Sequence, residues 1–190
     1  MKHICVIWFG EILACCLAAC AGHDGWTLEG KISFSRYTSV LLTDEAYHPL
    51  DSMPLRDGSF RMELPGKVEH PYPVVIRFVN CEDADDVMEM PLMVENGTVR
   101  LDIGEYVRVG GTPLNDALQE FLNGLQDCKE HCARRTELGA EEVEKLFSAF
   151  YLQQISIHRR DTLGAYLFRQ YGIHLDERDG LEARKLLNID

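Results

Sequence analysis

The densest reactive chemistry in the chain is Cys128-Lys129-Glu130-His131-Cys132, two thiols four positions apart with an imidazole between them. On a helix such residues share a face, so the pair could bind a metal or act as a strained redox couple. Three considerations favour a bland alternative. Leu114, Leu118, Phe121, Leu125, Cys128 and Cys132 recur at spacings of four and three, which is one apolar stripe of one helix. Cysteine is among the most buried residue types, and a disulfide within a regular helix meets its required Cβ geometry badly. A structural zinc site needs about four ligands, and only two thiols and one imidazole are local. Core cysteines are the favoured reading, with Cys128 and Cys132 kept as weak redox candidates. No catalytic, cofactor-binding or metal-binding residue is assigned.

The remaining clusters resolve the same way. Glu82, Asp83, Asp85, Asp86 and Glu89 supply hard oxygen ligands, but lack the spacing of a calcium loop, and read as a solvated acidic loop. His158-Arg159-Arg160-Asp161 places cations where they complement a helix end. Trp26, Tyr37, Tyr47 and Tyr72 are candidates for a glycan- or peptide-binding surface, although strands use aromatics routinely for packing. No serine-nucleophile, phosphate-loop or paired-histidine motif occurs, nor any Cys-x-x-Cys.

The elements that position these residues begin after an export signal. Lys2 and His3 precede an apolar run from Ile4 to Leu17, broken by Gly10 and Glu11, the layout of a secretory signal. It is too short to span a bilayer. Leu17-Ala18-Ala19-Cys20 resembles the lipobox of bacterial lipoproteins, in which the cysteine becomes the lipidated first residue. A cysteine carrying three acyl chains exceeds the two signals that stable anchoring requires. The expected organisation is a signal peptide over 1–19, a lipidated tether over 20–26, an antiparallel β domain over 27–111 and a helical region over 112–190. The expected address is the periplasmic face of the outer membrane, with the membrane held through Cys20.

Composition fits this. At 46% hydrophobic and 26% charged residues, the chain is globular, and a net charge of −12 leaves no attraction for nucleic-acid phosphates. Of seven cysteines, Cys5, Cys15 and Cys16 fall in the signal and Cys20 in the lipobox. Cys81, Cys128 and Cys132 allow at most one internal disulfide.

From Thr27 to Ser35, Leu28, Ile32 and Phe34 alternate with polar residues, the period of a strand with one wet face. Ser39 to Leu42 gives a second strand. Asp57-Gly58 suits a type I′ hairpin turn that would set Leu55 opposite Phe60 and Met53 opposite Met62, with Pro54 on an edge strand. Val74, Ile76 and Phe78 form another strand. Asn96-Gly97 would set Val94 opposite Val99 and Leu92 opposite Leu101, and Tyr106 to Val109 closes the series. Thr112-Pro113 starts a helix through a hydroxyl cap and a proline at its first position. A second helix carries Val143, Leu146, Phe147, Phe150 and Tyr151. A third is capped by Asp161 or Thr162 and ends at Gly172, and a fourth starts at Asp176 and carries Leu181, Leu186 and Leu187. The fold class is α+β: an antiparallel β-sandwich or open barrel followed by a small helical region.

In this order, the lipobox, Leu28-Glu29-Gly30-Lys31-Ile32, Asp57-Gly58-Ser59-Phe60, Val94-Glu95-Asn96-Gly97 and Gly110-Gly111-Thr112-Pro113-Leu114-Asn115-Asp116 resemble the domain of unknown function 4369 family. That domain is found upstream of thioredoxin-like (AhpC/TSA-type) domains in bacterial envelope lipoproteins. The resemblance implies a thioredoxin-like domain after the helices. The residues up to Asp190 leave no room for its roughly hundred-residue βαβ core, so a chain without that domain is expected and its catalysis is not carried over. The expected function is a non-catalytic, lipid-anchored envelope protein presenting a binding or scaffold surface to an envelope protein partner. The alternative is an accessory to thiol-disulfide exchange, acting with a separate thioredoxin-like protein.

Overall fold

The computed structural model describes residues 25–189. The expected signal, Cys20 and most of the expected tether lie outside the described residues. Eight strands come first: β1 (Trp26–Ile32), β2 (Ser39–Thr43), β3 (Pro49–Pro54), β4 (Ser59–Leu64), β5 (Tyr72–Asn80), β6 (Asp83–Val94), β7 (Gly97–Ile103) and β8 (Val107–Gly110). Four helices follow: α1 (Pro113–Arg134), α2 (Ala140–Ile157), α3 (Thr162–Tyr171) and α4 (Glu177–Leu187), with a short 3-10 turn at Gly172–His174 between the last two. The strands form two four-stranded sheets, β4-β1-β7-β8 and β3-β2-β5-β6. All neighbours are antiparallel except β1 and β7, which run parallel. This is the α+β sandwich expected from the strand and helix periods.

Alternation builds the core. Leu28 and Ile32 of β1, Phe60 and Met62 of β4, and Val99, Leu101 and Ile103 of β7 face Val40 and Leu42 of β2, Val74, Ile76 and Phe78 of β5, and Leu92 and Val94 of β6. Between Leu28 and Ile32 the inward position is Gly30, paired with Phe60 across the ladder. A Cβ on Gly30 would lie 1.9 Å from the Phe60 ring. The ring occupies the space that the glycine leaves and meets Phe78 of the other sheet at 5.5 Å between centroids.

Both expected hairpin ladders are absent, for one physical reason. Asp57 and Gly58 do adopt positive φ, 51° and 70°, and a bridge joins Arg56 to Ser59. The chain then changes sheet: β3 pairs with β2, and β4 with β1. Likewise β6 ends one sheet, and β7 enters the other beside β1 and β8. A register that sends apolar residues to one face of a hairpin sends the same residues inward when the two strands belong to facing sheets. Asn96 makes the second crossing. Its side-chain oxygen accepts from the N–H of Gly25 at 3.2 Å and of Val68 at 2.8 Å, and its amide donates to the Val68 carbonyl at 2.9 Å.

Smaller departures follow. β1 opens at Trp26, inside the expected tether, and stops at Ile32, leaving Phe34 exposed. Pro54 does end an edge strand. In α4 the buried apolar residue is Ala183, while Leu181 is 56% exposed.

Candidate functional site

A sandwich has two open sides, where edge strands leave backbone groups unpaired. Here β3 and β4 bound one side, and β6 and β8 the other. Helix α1 lies along the second. The Asn115 side chain acts there as a strand would: its oxygen accepts from the Met93 N–H at 3.0 Å, and its amide donates to the Met93 carbonyl at 2.8 Å. One turn on, the Gln119 oxygen accepts from the Val109 N–H of β8 at 2.6 Å. The expected hydroxyl cap at Thr112 is not made, because its oxygen accepts from the Asn115 amide instead. Glu95 takes over that role, accepting from the Leu114 N–H at 2.7 Å, a carboxylate at the positive end of the helix dipole.

Beyond Gln119 the covering stops, and a groove of about 930 Å³ remains among β6, β8 and α1. Its walls include Glu89, Met90 and Pro91 of β6, Val107 of β8, and Leu122 of α1. Tyr106 stands at its mouth, 67% exposed. Met93 turns its backbone groups away from β5, so by alternation Glu89 and Val87 do the same, while Pro91 has no N–H to offer. Along α1, Gln119, Asn123 and Gln126 border the groove, with the Gln119 amide donating to Asn123 at 2.8 Å. Unpaired edge groups beside apolar side chains and a row of amides form a surface complementary to an extended peptide backbone.

The candidates singled out in the sequence fall elsewhere. Cys128 and Cys132 are free thiols, both half-buried rather than core, because the fully buried part of the α1 stripe ends at Leu125. Burial, and then the charge and hydrogen bond of Cys132, push the Cys128 thiol up. Cys81 is exposed and bonds the Thr38 hydroxyl. Of the expected acidic loop only Glu82 lies in the turn, while Asp83, Asp85 and Asp86 open β6 and Glu89 lies further along it. Asp86 there accepts from the Tyr37 hydroxyl at 3.2 Å and pairs with Arg36 at 2.9 Å. Among the described residues no three His, Cys, Asp or Glu side chains converge as a metal site. The cations after α2 do sit at a helix end, where Arg159 donates to the Ser156 carbonyl at 3.0 Å.

The aromatic surface divides: Trp26 and Tyr37 are core residues, 1% and 5% exposed. Only Tyr47 and Tyr72 reach solvent, and Tyr47 is occupied with Glu89 and Arg77. None of the residues singled out in the sequence marks the groove, although Glu89 lies in its wall. The amide stripe Gln119, Asn123, Gln126, running beside the apolar stripe of the same helix, is the signal that marks it.

Among the described residues no helix is long and apolar enough to cross a membrane. Comparison with curated proteins finds no match. Residues 26–118 match a family model, a span that takes in all eight strands and α1 as far as Leu118, and so contains Asn115, Glu95 and both sheet crossings. Those residues are a domain of the family described as Domain of unknown function (DUF4369).

Proposed function

We propose that this chain is a lipid-anchored bacterial cell-envelope protein whose β-sandwich is a non-catalytic binding or scaffold module, and that its binding element is the groove along β6, β8 and α1. The observation that carries the reading is the incomplete cover of that side: Asn115 and Gln119 pair part of the two edges and leave the rest beside exposed Tyr106. The anchor rests on Leu17-Ala18-Ala19-Cys20, with β1 opening shortly afterwards at Trp26, which would hold the sandwich near the membrane, at the periplasmic face of the outer membrane. An accessory role in thiol exchange is the weaker reading, because a thiol whose ionisation is opposed by burial is a poor nucleophile.

The test is site-specific photocrosslinking in a bacterium expressing the full chain, with the photoreactive residue at Val107 or at Arg56, an exposed position at the opposite edges. A discrete protein adduct at Val107 is expected. Adduct yields at Val107 no higher than at Arg56 overturn the groove. Cys20→Ala should move the chain from the membrane to the soluble fraction, and retention at the membrane overturns the anchor.

A further inference from the structure

Past Leu125 the apolar stripe of α1 continues as two free thiols, Cys128 and Cys132, four residues apart and so on one face of the helix. Both are half-buried.

Spacing decides what two such thiols can do. Residues four apart on a helix hold their Cβ atoms about 5–6 Å apart, whereas a disulfide needs about 3.5–4.5 Å. Direct oxidation therefore requires α1 to distort. Two metal–sulfur bonds of about 2.3 Å each span about 4.5 Å between sulfurs, which the undistorted helix accommodates. Ligand number decides which metal. No three potential ligands converge among the described residues, so a tetrahedral divalent ion lacks partners. Soft monovalent ions accept two thiolates, and thiolates select copper(I) among biological metals.

We propose that Cys128 and Cys132 form a two-thiolate site for one soft monovalent cation of the copper(I) class. On binding, two S–H bonds ionise and two protons pass to solvent. Two S–Cu bonds form, copper stays copper(I), and the site carries one negative charge. Burial opposes ionisation of Cys128 in the metal-free chain, and the two metal–sulfur bonds offset that cost, because a thiol that coordinates a metal is deprotonated outright. The site is independent of the groove, and neither depends on the other for its test.

The experiment is an anaerobic copper(I) titration of the reduced, detergent-solubilised full chain against a chromogenic copper(I) chelator. Wild type is compared with Cys128→Ser, Cys132→Ser, the double variant and Cys81→Ser. Any cysteines of the signal are common to all, so differences count this pair alone. The expected result is one equivalent per chain withheld from the chelator, lost in both single variants and the double variant, and kept in Cys81→Ser, with unchanged circular dichroism throughout. Equal stoichiometry in wild type and double variant overturns the site, as does loss of the equivalent in Cys81→Ser. X-ray absorption of the loaded protein should show two sulfur ligands, and a nitrogen ligand from His131 overturns the two-thiolate geometry.

Discussion

The sandwich and the helical layer bury their apolar residues on different terms. Every residue of the sandwich core lies between Trp26 and Val109, so no helix contributes to it. The helical core does not close by itself: Leu118, Phe121, Ile155, Leu163 and Leu167 gather around Met93, which projects from the outer face of β6. The chemistry differs too. The sandwich is mainly aliphatic with a few rings, whereas the helices stack Phe121, Phe150, Tyr151 and Tyr171, with Tyr151 and Tyr171 at 4.8 Å between centroids. They also leave Ile173 87% exposed. The helices depend on the sheets: the sheets are a platform, and the helices are a layer that borrows the Met93 side chain and the edges of β6 and β8 from it.

Emptying each core in turn tests that dependence. Phe78→Ala removes the ring that packs on Phe60 and Tyr37 and should cost about 3–5 kcal/mol, with strand and helix signals lost in one urea transition. Leu167→Ala, in the helical core, should cost about 2–5 kcal/mol and lower helix protection in hydrogen exchange while β1, β5 and β7 stay protected. Equal loss of protection in those strands would make the two regions one cooperative unit. At the seam, Asn115→Ala strands the Met93 N–H and carbonyl and the Thr112 hydroxyl. It should cost about 1–3 kcal/mol, seen as faster exchange of the Met93 amide and earlier melting of the helices.

The same seam shows what a sequence can and cannot disclose. Strand existence was legible because alternation survives any partner: Val74, Ile76 and Phe78 point inward whichever strand lies beside them. Strand pairing was not, because Asp57-Gly58 and Asn96-Gly97 satisfy the geometry of a turn whether the chain returns to its own sheet or crosses to the facing one. The motif residues of the resemblance turn out to be architectural. Gly30 meets Phe60, Gly58 accepts from the Ile32 N–H at 2.7 Å, and Asp116 accepts from Gly111 at 2.8 Å. The groove left weaker marks, since Tyr106 and the amide stripe take on meaning only after α1 is placed between two edges that the sequence does not identify as edges. Cys128 and Cys132 sat on a legible stripe, but periodicity says which way a side chain faces and not where its covering ends.

Alkaline titration separates the regions through their tyrosines. Burial raises the Tyr151, Tyr166 and Tyr171 phenols above their ordinary value, Tyr166 most. A raised phenol keeps its proton when folded while the unfolded chain releases its own, so stability is intact below about pH 10 and falls as pH rises beyond it. For Tyr166, 7% exposed, the slope is about 1.4 kcal/mol per pH unit. Helix signal should therefore fail at lower urea concentration at pH 11 than at pH 8. Replacing Tyr166 with Phe should flatten that dependence, and an unchanged slope would show that the phenol does not govern it.

The gentlest test adds stability instead of removing it. Gly180 is an internal residue of α4, and a Cβ there would meet nothing closer than the Leu175 Cβ at 3.9 Å. Gly180→Ala removes the backbone freedom that glycine gives the unfolded chain and should stabilise by about 1 kcal/mol. Gly30→Ala, by contrast, drives a methyl into the Phe60 ring and should destabilise by about 1–3 kcal/mol. Where that added kilocalorie appears is the informative part. If α4 belongs to a layer that opens by itself, the gain shows as slower exchange of helix amides alone, because the sandwich never depended on it. Should amides of β5 and β7 gain protection equally, the helices share the global unfolding step, and the platform and its layer are thermodynamically one body.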